Sequence, residues 1–341
     1  MKKSLIALAA LAAVGAASAQ SSVTLYGIAD ISAGVVEREG AYKLPGRDAG
    51  KANTRETGFN KANLQQSRVG IKGSEDLGNG LKAVFNYEHG FDSANGMFGD
   101  KSKDYANTAA RRAVVGLQGG FGSVLLGRDK LPLYRLTEDT SADSISHFST
   151  TNLLGGQRTN GVHYAGNFGG VGVSAAVGYD REDKLTTGAD RQDTTYGLGL
   201  SYATGPFMVG IAGEQIKSES GSPLVTTNKE TNYGIGGTYD FTAAKVFANY
   251  LVSDDDAKAG KDKEANVGVK VPFGAASLVA EVGYNDGHGY DGIDYNVGAN
   301  YAFSKRTDAY VRYARINDYD FDNNGPEGKD TKYAVGLRHK F

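Results

Sequence analysis

Alternation with a period of two, repeated in nearly every segment, is the feature that most constrains what this chain can fold into. It is clearest at the C-terminus, Thr331-Lys-Tyr-Ala-Val-Gly-Leu-Arg-His-Lys-Phe341. Tyr333, Val335, Leu337, His339 and Phe341 fall on one side of such a strand, and Lys332, Ala334, Gly336, Arg338 and Lys340 on the other. Successive strand side chains point to opposite faces, so one face is largely apolar and the other cationic. Lipid outside, water inside and an aromatic ring at the interface produce this pattern in an outer-membrane barrel strand. Tyr333, Val335, Leu337 and Phe341 are read accordingly as a terminal assembly signal.

The same rhythm recurs upstream. Between Val23 and Ala33 the odd positions are apolar or small, while the even ones include Thr24, Tyr26, Asp30 and Ser32. Leu81, Ala83, Phe85 and Tyr87 oppose Lys82, Asn86 and Glu88, and Tyr295, Val297, Ala299 and Tyr301 oppose Asp294, Asn296, Gly298 and Asn300. A soluble sandwich supplies several such runs; runs in nearly every segment, many ending in Tyr or Phe, fit a barrel better. Tight turns then count the strands. Gly- or Pro-marked breaks, or short polar ones, fall at 76–80, 120–122, 168–170, 204–206, 242–244, 273–275 and 304–306. Gly and Pro permit such reversals. Seven tight turns divide the chain into eight hairpins, hence about sixteen antiparallel strands with both termini on one side. Phe121, Phe168, Phe207, Phe241, Phe273 and Phe303 at these turns form one expected aromatic girdle. The opposite connections, near 38–62, 92–107, 131–158, 182–192, 219–229, 255–262 and 318–330, are long and polar.

The N-terminus carries an export signal. Lys2 and Lys3 precede an apolar core from Leu5 to Ala17, and Ala17-Ser18-Ala19 is a small-residue cleavage site. That core is shorter than the roughly 20 residues a spanning helix needs, so residues 1–19 are expected to be removed, leaving one barrel domain over 20–341. A closed barrel is then the one remaining way to satisfy every backbone group in lipid. The absence of Cys excludes a disulfide framework and thiol chemistry. Two of the 37 basic residues lie in the leader, which leaves 35 against 39 acids, a charge of about −4. That balance does not suit a nucleic-acid binder.

Five blocks carry a resemblance: Ser22-Val-Thr-Leu-Tyr-Gly-Ile-Ala-Asp30, Ser67-Arg-Val-Gly-Ile-Lys-Gly-Ser-Glu-Asp-Leu-Gly-Asn-Gly-Leu-Lys82, Arg111-Arg-Ala-Val-Val-Gly-Leu117, Gly120-Phe-Gly-Ser-Val-Leu-Leu-Gly-Arg128 and Gly336-Leu-Arg-His-Lys-Phe341. In this order and spacing, over essentially the whole mature chain, they resemble the neisserial-type general porins of betaproteobacteria. The resemblance implies a sixteen-stranded, trimeric transmembrane barrel of the bacterial outer membrane, bathed by lipid and lipopolysaccharide. It also implies that the third external loop folds inward to narrow a passage for ions and small hydrophilic solutes.

Parity from the apolar positions places Arg68 and Lys72 inward on the second strand, Lys82 and Glu88 on the third, Arg112 on the fourth, and Arg128 and Lys130 on the fifth. Arg68, Lys72, Lys82, Arg112, Arg128 and Arg158 form the expected wall of the constriction, with Glu88 a lumen acid. The third loop supplies Glu138, Asp139 and Asp143. The resemblance implies that Arg68, Arg112 and Arg158 stand together opposite those acids, although the pair Arg111-Arg112 leaves the register open by one. Parity also turns Asp30, Asp180, Glu214, Asp240, Glu281 and Asp294 inward, and Lys270, Arg312, Lys332, Arg338 and Lys340 among later bases. A basic wall opposite an acidic loop focuses a transverse field across a water gap, with mild anion preference the expected result.

Other chemistries fare poorly. Asp320, Asp322, Asn324 and Gly325 have calcium-loop spacing, but Thr331 occupies the position where the cage needs a bidentate Glu; a solvated external loop is the better reading. His89, His147, His163, His288 and His339 lie in no nucleophile, zinc or phosphate-loop motif, so no enzyme, metal or cofactor is expected. The alternative is a substrate-specific channel for sugars or carboxylates. It predicts an aromatic track along the lumen, whereas most Tyr share the lipid-side parity.

Overall fold

The computed structural model describes residues 21–39, 53–59, 63–98, 110–143, 146, 148–151, 158–182, 190–221, 224–258, 260–287, 290–318 and 328–341. The leader at 1–19 and the calcium-like residues Asp320 to Gly325 lie outside them. The strands are β1 (Ser22–Glu39), β2 (Thr54–Phe59), β3 (Arg68–Gly78), β4 (Leu81–Gly90), β5 (Arg112–Gly119), β6 (Gly122–Lys130), β7 (Arg158–Phe168), β8 (Val171–Glu182) and β9 (Asp190–Thr204). There follow β10 (Phe207–Gly221), β11 (Leu224–Asp240), β12 (Lys245–Asp255), β13 (Lys261–Phe273), β14 (Ala276–Gly287), β15 (Tyr290–Ala302), β16 (Thr307–Asp318) and β17 (Gly328–Lys340). A single helix among the described residues, α1 (Pro132–Thr140), lies between β6 and β7.

From β3 onward each strand pairs antiparallel with the next in sequence until β17 returns to β1, with Ile28 opposite Lys340 and Glu39 opposite Lys329. Phe341 seals the seam: its carbonyl accepts from Gly27 N at 3.0 Å and its N donates to Gly27 O at 3.1 Å. Closure leaves no open sheet edge. Seventeen segments make sixteen barrel positions because β1 pairs with β2 along Ala33–Arg38 and with β3 along Ser22–Ile28. Between those two, residues 63–67 leave the ladder and bond to the inner face. Gln65 N donates to Asp30 Oδ2 at 2.7 Å, Leu64 N to Tyr310 Oη at 3.2 Å and Ser67 Oγ to the Asp30 carbonyl at 3.0 Å.

All seven tight turns fall where Gly, Pro and polar residues mark them. Asn79 and Gly80, at φ 51° and 76°, show why: a two-residue hairpin needs the left-handed region that Asn and Gly tolerate. The six girdle phenylalanines are 40–63 % exposed. Outward positions such as Leu198, Val267, Val335 and Tyr179 are more than half exposed, whereas fully buried side chains include Asn232, Glu281, Asp294 and Arg312. The molecule is apolar outside and polar within.

Two expected external loops are shorter than their polarity suggested. β10 and β11 stay paired to Gly221 and Leu224, and β8 and β9 to Glu182 and Arg191. Above the membrane a hairpin needs no apolar face, so polar composition does not end it.

Residues 131–143 and 148–151 pack against the inner face. Pro132, with no N–H to leave unpaired, opens α1; Leu133, Leu136, Thr137 and Thr140 are buried beneath it. α1 lies along β9 to β12, where Leu133, Leu136, Ala212 and Leu251 form one apolar cluster. The wall is glycine at the contacts. A Cβ on Gly210 would stand 2.8 Å from Leu136 Cδ1, and one on Gly236 2.6 Å from Thr140 Oγ1. Beyond the helix, Phe148 is buried with Val36, Ala314, Ile316 and Ala334 of β1, β16 and β17.

Candidate functional site in the lumen

Basic residues gather at the ends of β3 and β5 to β7 that face α1. Arg68 is the first residue of β3, Arg111 directly precedes β5, Lys130 ends β6 and Arg158 begins β7. Glu88 on β4 holds two of them, with Arg111 Nε 2.8 Å from Oε1 and Arg68 Nε 3.7 Å from Oε2. The Tyr26 hydroxyl lies 3.1 Å from the same Oε2 and 2.7 Å from Asn86 Oδ1. On its far side Arg111 Nη1 donates to Gln66 Oε1 of the inward segment. One carboxylate thus fixes two guanidiniums from different strands.

α1 supplies the facing groups. Lys130 Nζ is 2.5 Å from Glu138 Oε2. The Tyr134 ring receives Lys130 Nζ at 5.0 Å and Arg158 Cζ at 5.1 Å, within cation–π range. Burial, with Glu138 beside it, raises the Tyr134 phenol pKa, so the ring stays neutral between its two cations. A second node centres on Asp129, which is 2 % exposed and takes Arg112 Nη2 at 2.9 Å and Arg135 Nη2 at 2.8 Å. Five cations, Arg68, Arg111, Arg112, Lys130 and Arg135, therefore share the three carboxylates Glu88, Asp129 and Glu138, with Arg158 on the Tyr134 ring and Asp139 near Lys130 and Arg135. Desolvated by low-dielectric walls, an excess of positive charge acts over the adjoining water with little to cancel it.

Several expectations need revision. Arg128 stands at the margin of this cluster, near Arg158: it shares the side of β6 with Val124 and Leu126, 38 % and 53 % exposed, and its Nε donates to the Ala110 carbonyl at 2.9 Å. Val124-Leu125-Leu126 is a run of three apolar residues and carries no phase, which is why parity failed there. Lys130 and Arg158 reach Tyr134 from the last and first residues of their strands, where the ladder stops constraining them. Lys72 and Lys82 face inward but lower, opposite Asn86 and Asp76 in the register; Lys72 Nζ rests over the Tyr26 ring at 5.1 Å.

Of the loop acids, Glu138 meets the basic wall, and Asp139, exposed to the lumen water, lies within electrostatic reach of Lys130 and Arg135. Asp143 turns the other way. Its carboxylate takes Arg312 of β16 in two bonds of 3.0 Å, with the Arg312 side chain 1 % exposed. Glu281 is equally committed: Ser141 Oγ and Ala142 N donate to Oε2 at 3.0 and 2.7 Å, and Thr150 Oγ1 to Oε1 at 2.6 Å. Asp30, Glu281 and Asp294 thus fasten the interior rather than line open water. Arg111, Asp129, Tyr134 and Arg135 escaped the sequence reading; the Arg111-Arg112 pair was the one visible hint.

The model of the Gram-negative porin family matches residues 6–338. "Outer membrane porin protein 32" of Delftia acidovorans is 32 % identical, with all of both chains aligned. "Major outer membrane protein P.IB" of Neisseria meningitidis serogroup B is 31 % identical over the same full extent. Among solved structures, an anion-selective porin from Comamonas acidovorans superposes with a TM-score of 0.71 at 22 % identity, over 94 % of this chain and 100 % of that one. With a closed sixteen-position barrel, an apolar outside and a charged lumen, the chain belongs to the Gram-negative porin family and to the outer membrane.

Proposed function

We propose that this chain is a general diffusion porin: a passive, cofactor-free channel through which ions and small hydrophilic solutes cross the outer membrane, with a mild preference for anions. Residues 1–19 act as the cleaved export leader and 20–341 as the barrel. It works as a homotrimer, the assembly that the resemblance to neisserial-type porins implies, with lipid and lipopolysaccharide against its outward tyrosines and valines. Its wall at the narrow point comprises Arg68, Arg111 and Arg158, with Lys130 and Tyr134 at the α1 side. Arg112 and Arg135 stand behind them on Asp129.

The observation that carries the ion preference is the excess of six cations over four carboxylates, Glu88, Asp129, Glu138 and Asp139, beside α1. Each carboxylate is already engaged by cations, so the residual field is positive and a passing anion meets no tight binding pocket. A conducting pore needs such weak, distributed attraction. Asp143, spent on Arg312, does not oppose it. Single-channel recording in a planar bilayer under a KCl gradient tests the reading. Conductance in groups of three steps, with a reversal potential favouring chloride, is the expected result. A potential favouring potassium refutes the anion preference. Blockade by one sugar or carboxylate at low concentration would make the protein a substrate-specific channel instead.

A further inference from the structure

Below α1, at the end of the barrel closed by the tight turns, three lysines stand in the lumen without an ion-pair partner. Lys245 and Lys270 lie directly opposite each other on β12 and β13. Parity with outward Tyr250 and Val267, 42 % and 61 % exposed, turns both inward. Lys245 Nζ rests over the buried Phe247 ring at 5.1 Å. Lys340, next to the C-terminal residue, is within electrostatic reach of both Lys270 and Arg68. Among the described residues no Asp or Glu forms an ion pair with Lys245, Lys270 or Lys340. The acids of this region are engaged elsewhere. Asp308 gives both oxygens to Arg338 at 3.0 Å. Asp240, opposite Lys245 in the register, takes the Thr242 N–H at 2.8 Å. Asp139 of α1 is shared among Lys130, Arg135 and Lys245.

Like charges directly opposite on a sheet repel, and an ammonium group has donors only. Three of them around one body of water suit a solute that brings more than one negative charge and several acceptor oxygens. Chloride brings one charge. A tetrahedral dianion feels twice the attraction and accepts N–H bonds from more than one lysine at once, and Lys serves phosphate well as a point charge. We infer that Lys245, Lys270 and Lys340 form a binding site for dianionic phosphate on the periplasmic side of the constriction, since the short turns of such barrels face the periplasm. The inference rests on the diffusion-porin reading for the route by which the anion arrives from outside. Arg68 above draws any anion through the narrow point, and the lysines below retain the multivalent ones. Because the site is wet and its donors flexible, exchange stays fast enough for transport. Its residues come from three strands far apart in sequence, so no contiguous motif announces it.

The test titrates inorganic phosphate into the full barrel in detergent, in dilute and mildly alkaline buffer, and follows binding by phosphorus NMR line broadening. Saturable broadening that sulfate displaces, and equal chloride does not, is the expected result. Removing one charge about 5 Å from a dianion weakens binding about tenfold in dilute buffer and about fivefold at physiological salt. Lys245→Gln and Lys270→Gln should each do so; both side chains reach water, so the barrel should form. Lys82→Gln, on β4 across the barrel and opposite Asp76, should change the affinity by less than about twofold, as should Lys263→Gln on the lipid side. The absence of saturable broadening in the wild type overturns the site. So does equal weakening by Lys82→Gln, for then the diffuse field of the lumen and not these lysines holds phosphate. Chloride conductance of the same preparations in a planar bilayer reports separately on the channel. A barrel that conducts without binding phosphate refutes the site alone, and one that binds without conducting refutes the porin reading alone.

Discussion

Glu88→Gln isolates the charge that restrains the basic cluster. Glu88 is the one carboxylate engaging both Arg68 and Arg111, at 3.7 and 2.8 Å, and glutamine keeps the acceptor oxygen while removing the charge. An ion passing roughly 6 Å away interacts with a unit charge by about 0.7 kcal/mol in bulk water. Screening at physiological salt, where the Debye length is about 8 Å, leaves about half of that. Anion and cation feel opposite signs, so their permeability ratio shifts by twice the screened value, about 0.7 kcal/mol. With 1.4 kcal/mol per factor of ten, chloride over potassium should rise about threefold at physiological salt and about tenfold in dilute solution. Reversal potentials of wild type and variant, in KCl gradients at low and high mean concentration, measure both figures. A shift toward potassium, or a shift that grows with salt, refutes the assignment of Glu88 to the pore wall. An unchanged potential with unchanged conductance refutes it as well.

The remaining predictions address position and anchoring. Arg111→Ser should lower chloride preference more than Lys82→Ser does, since Lys82 pairs in register with Asp76 next to the tight turn, away from α1; equal effects in reversal potential would contradict that placement. Arg312→Ala leaves Asp143 buried without its two bonds, a loss of about 3–5 kcal/mol. It should free the inner segment, seen as larger, noisier conductance and a lower melting midpoint. Lys at outward Ala175, which shares its face with Leu198, should cost roughly 2–4 kcal/mol of barrel stability in lipid. Lys at inward Ser174 should change conductance and leave the urea midpoint near wild type; equal destabilisation would invert the inside and outside faces.

Local signals in the sequence carried the barrel. A tight turn needs only the residues within it, and Asn79-Gly80 or Phe168-Gly-Gly170 announce themselves without reference to the rest of the chain. Alternation likewise fixed which side of β17 meets lipid, because Lys332, Arg338 and Lys340 share one face and Tyr333, Val335 and Leu337 the other. The same rule lost its phase in β6, where Val124, Leu125 and Leu126 are equally apolar. It is silent off the ladder: Arg111, one residue before β5, took the role expected of Arg112, and nothing in a loop says which way Asp143 turns. The partners of Asp143 and Glu281 lie far along the chain, brought together by closure alone.

Parity answers whether a side chain points inward, yet the pore's sign depends on whether an inward charge remains unspent. Asp30, Glu281 and Asp294 all point inward and all are sealed: Tyr310 Oη and Gln65 N hold Asp30, Ser141, Ala142 and Thr150 hold Glu281, and Asn285 and Asn317 hold Asp294. Arg312 is spent the same way. Each contributes rigidity to the inner wall, and its effect on the pore depends on its distance from the constriction, since hydrogen-bond dipoles do not cancel a net charge. A chain with net charge of −2 can present a positive constriction because its cations gather beside α1 in excess of the carboxylates that face them there. It follows that loosening the anchors, as Arg312→Ala does, should weaken anion preference as well as widen the pore, since it returns Asp143 to the water. A wider pore with undiminished chloride preference would show that Asp143 was never withheld from it.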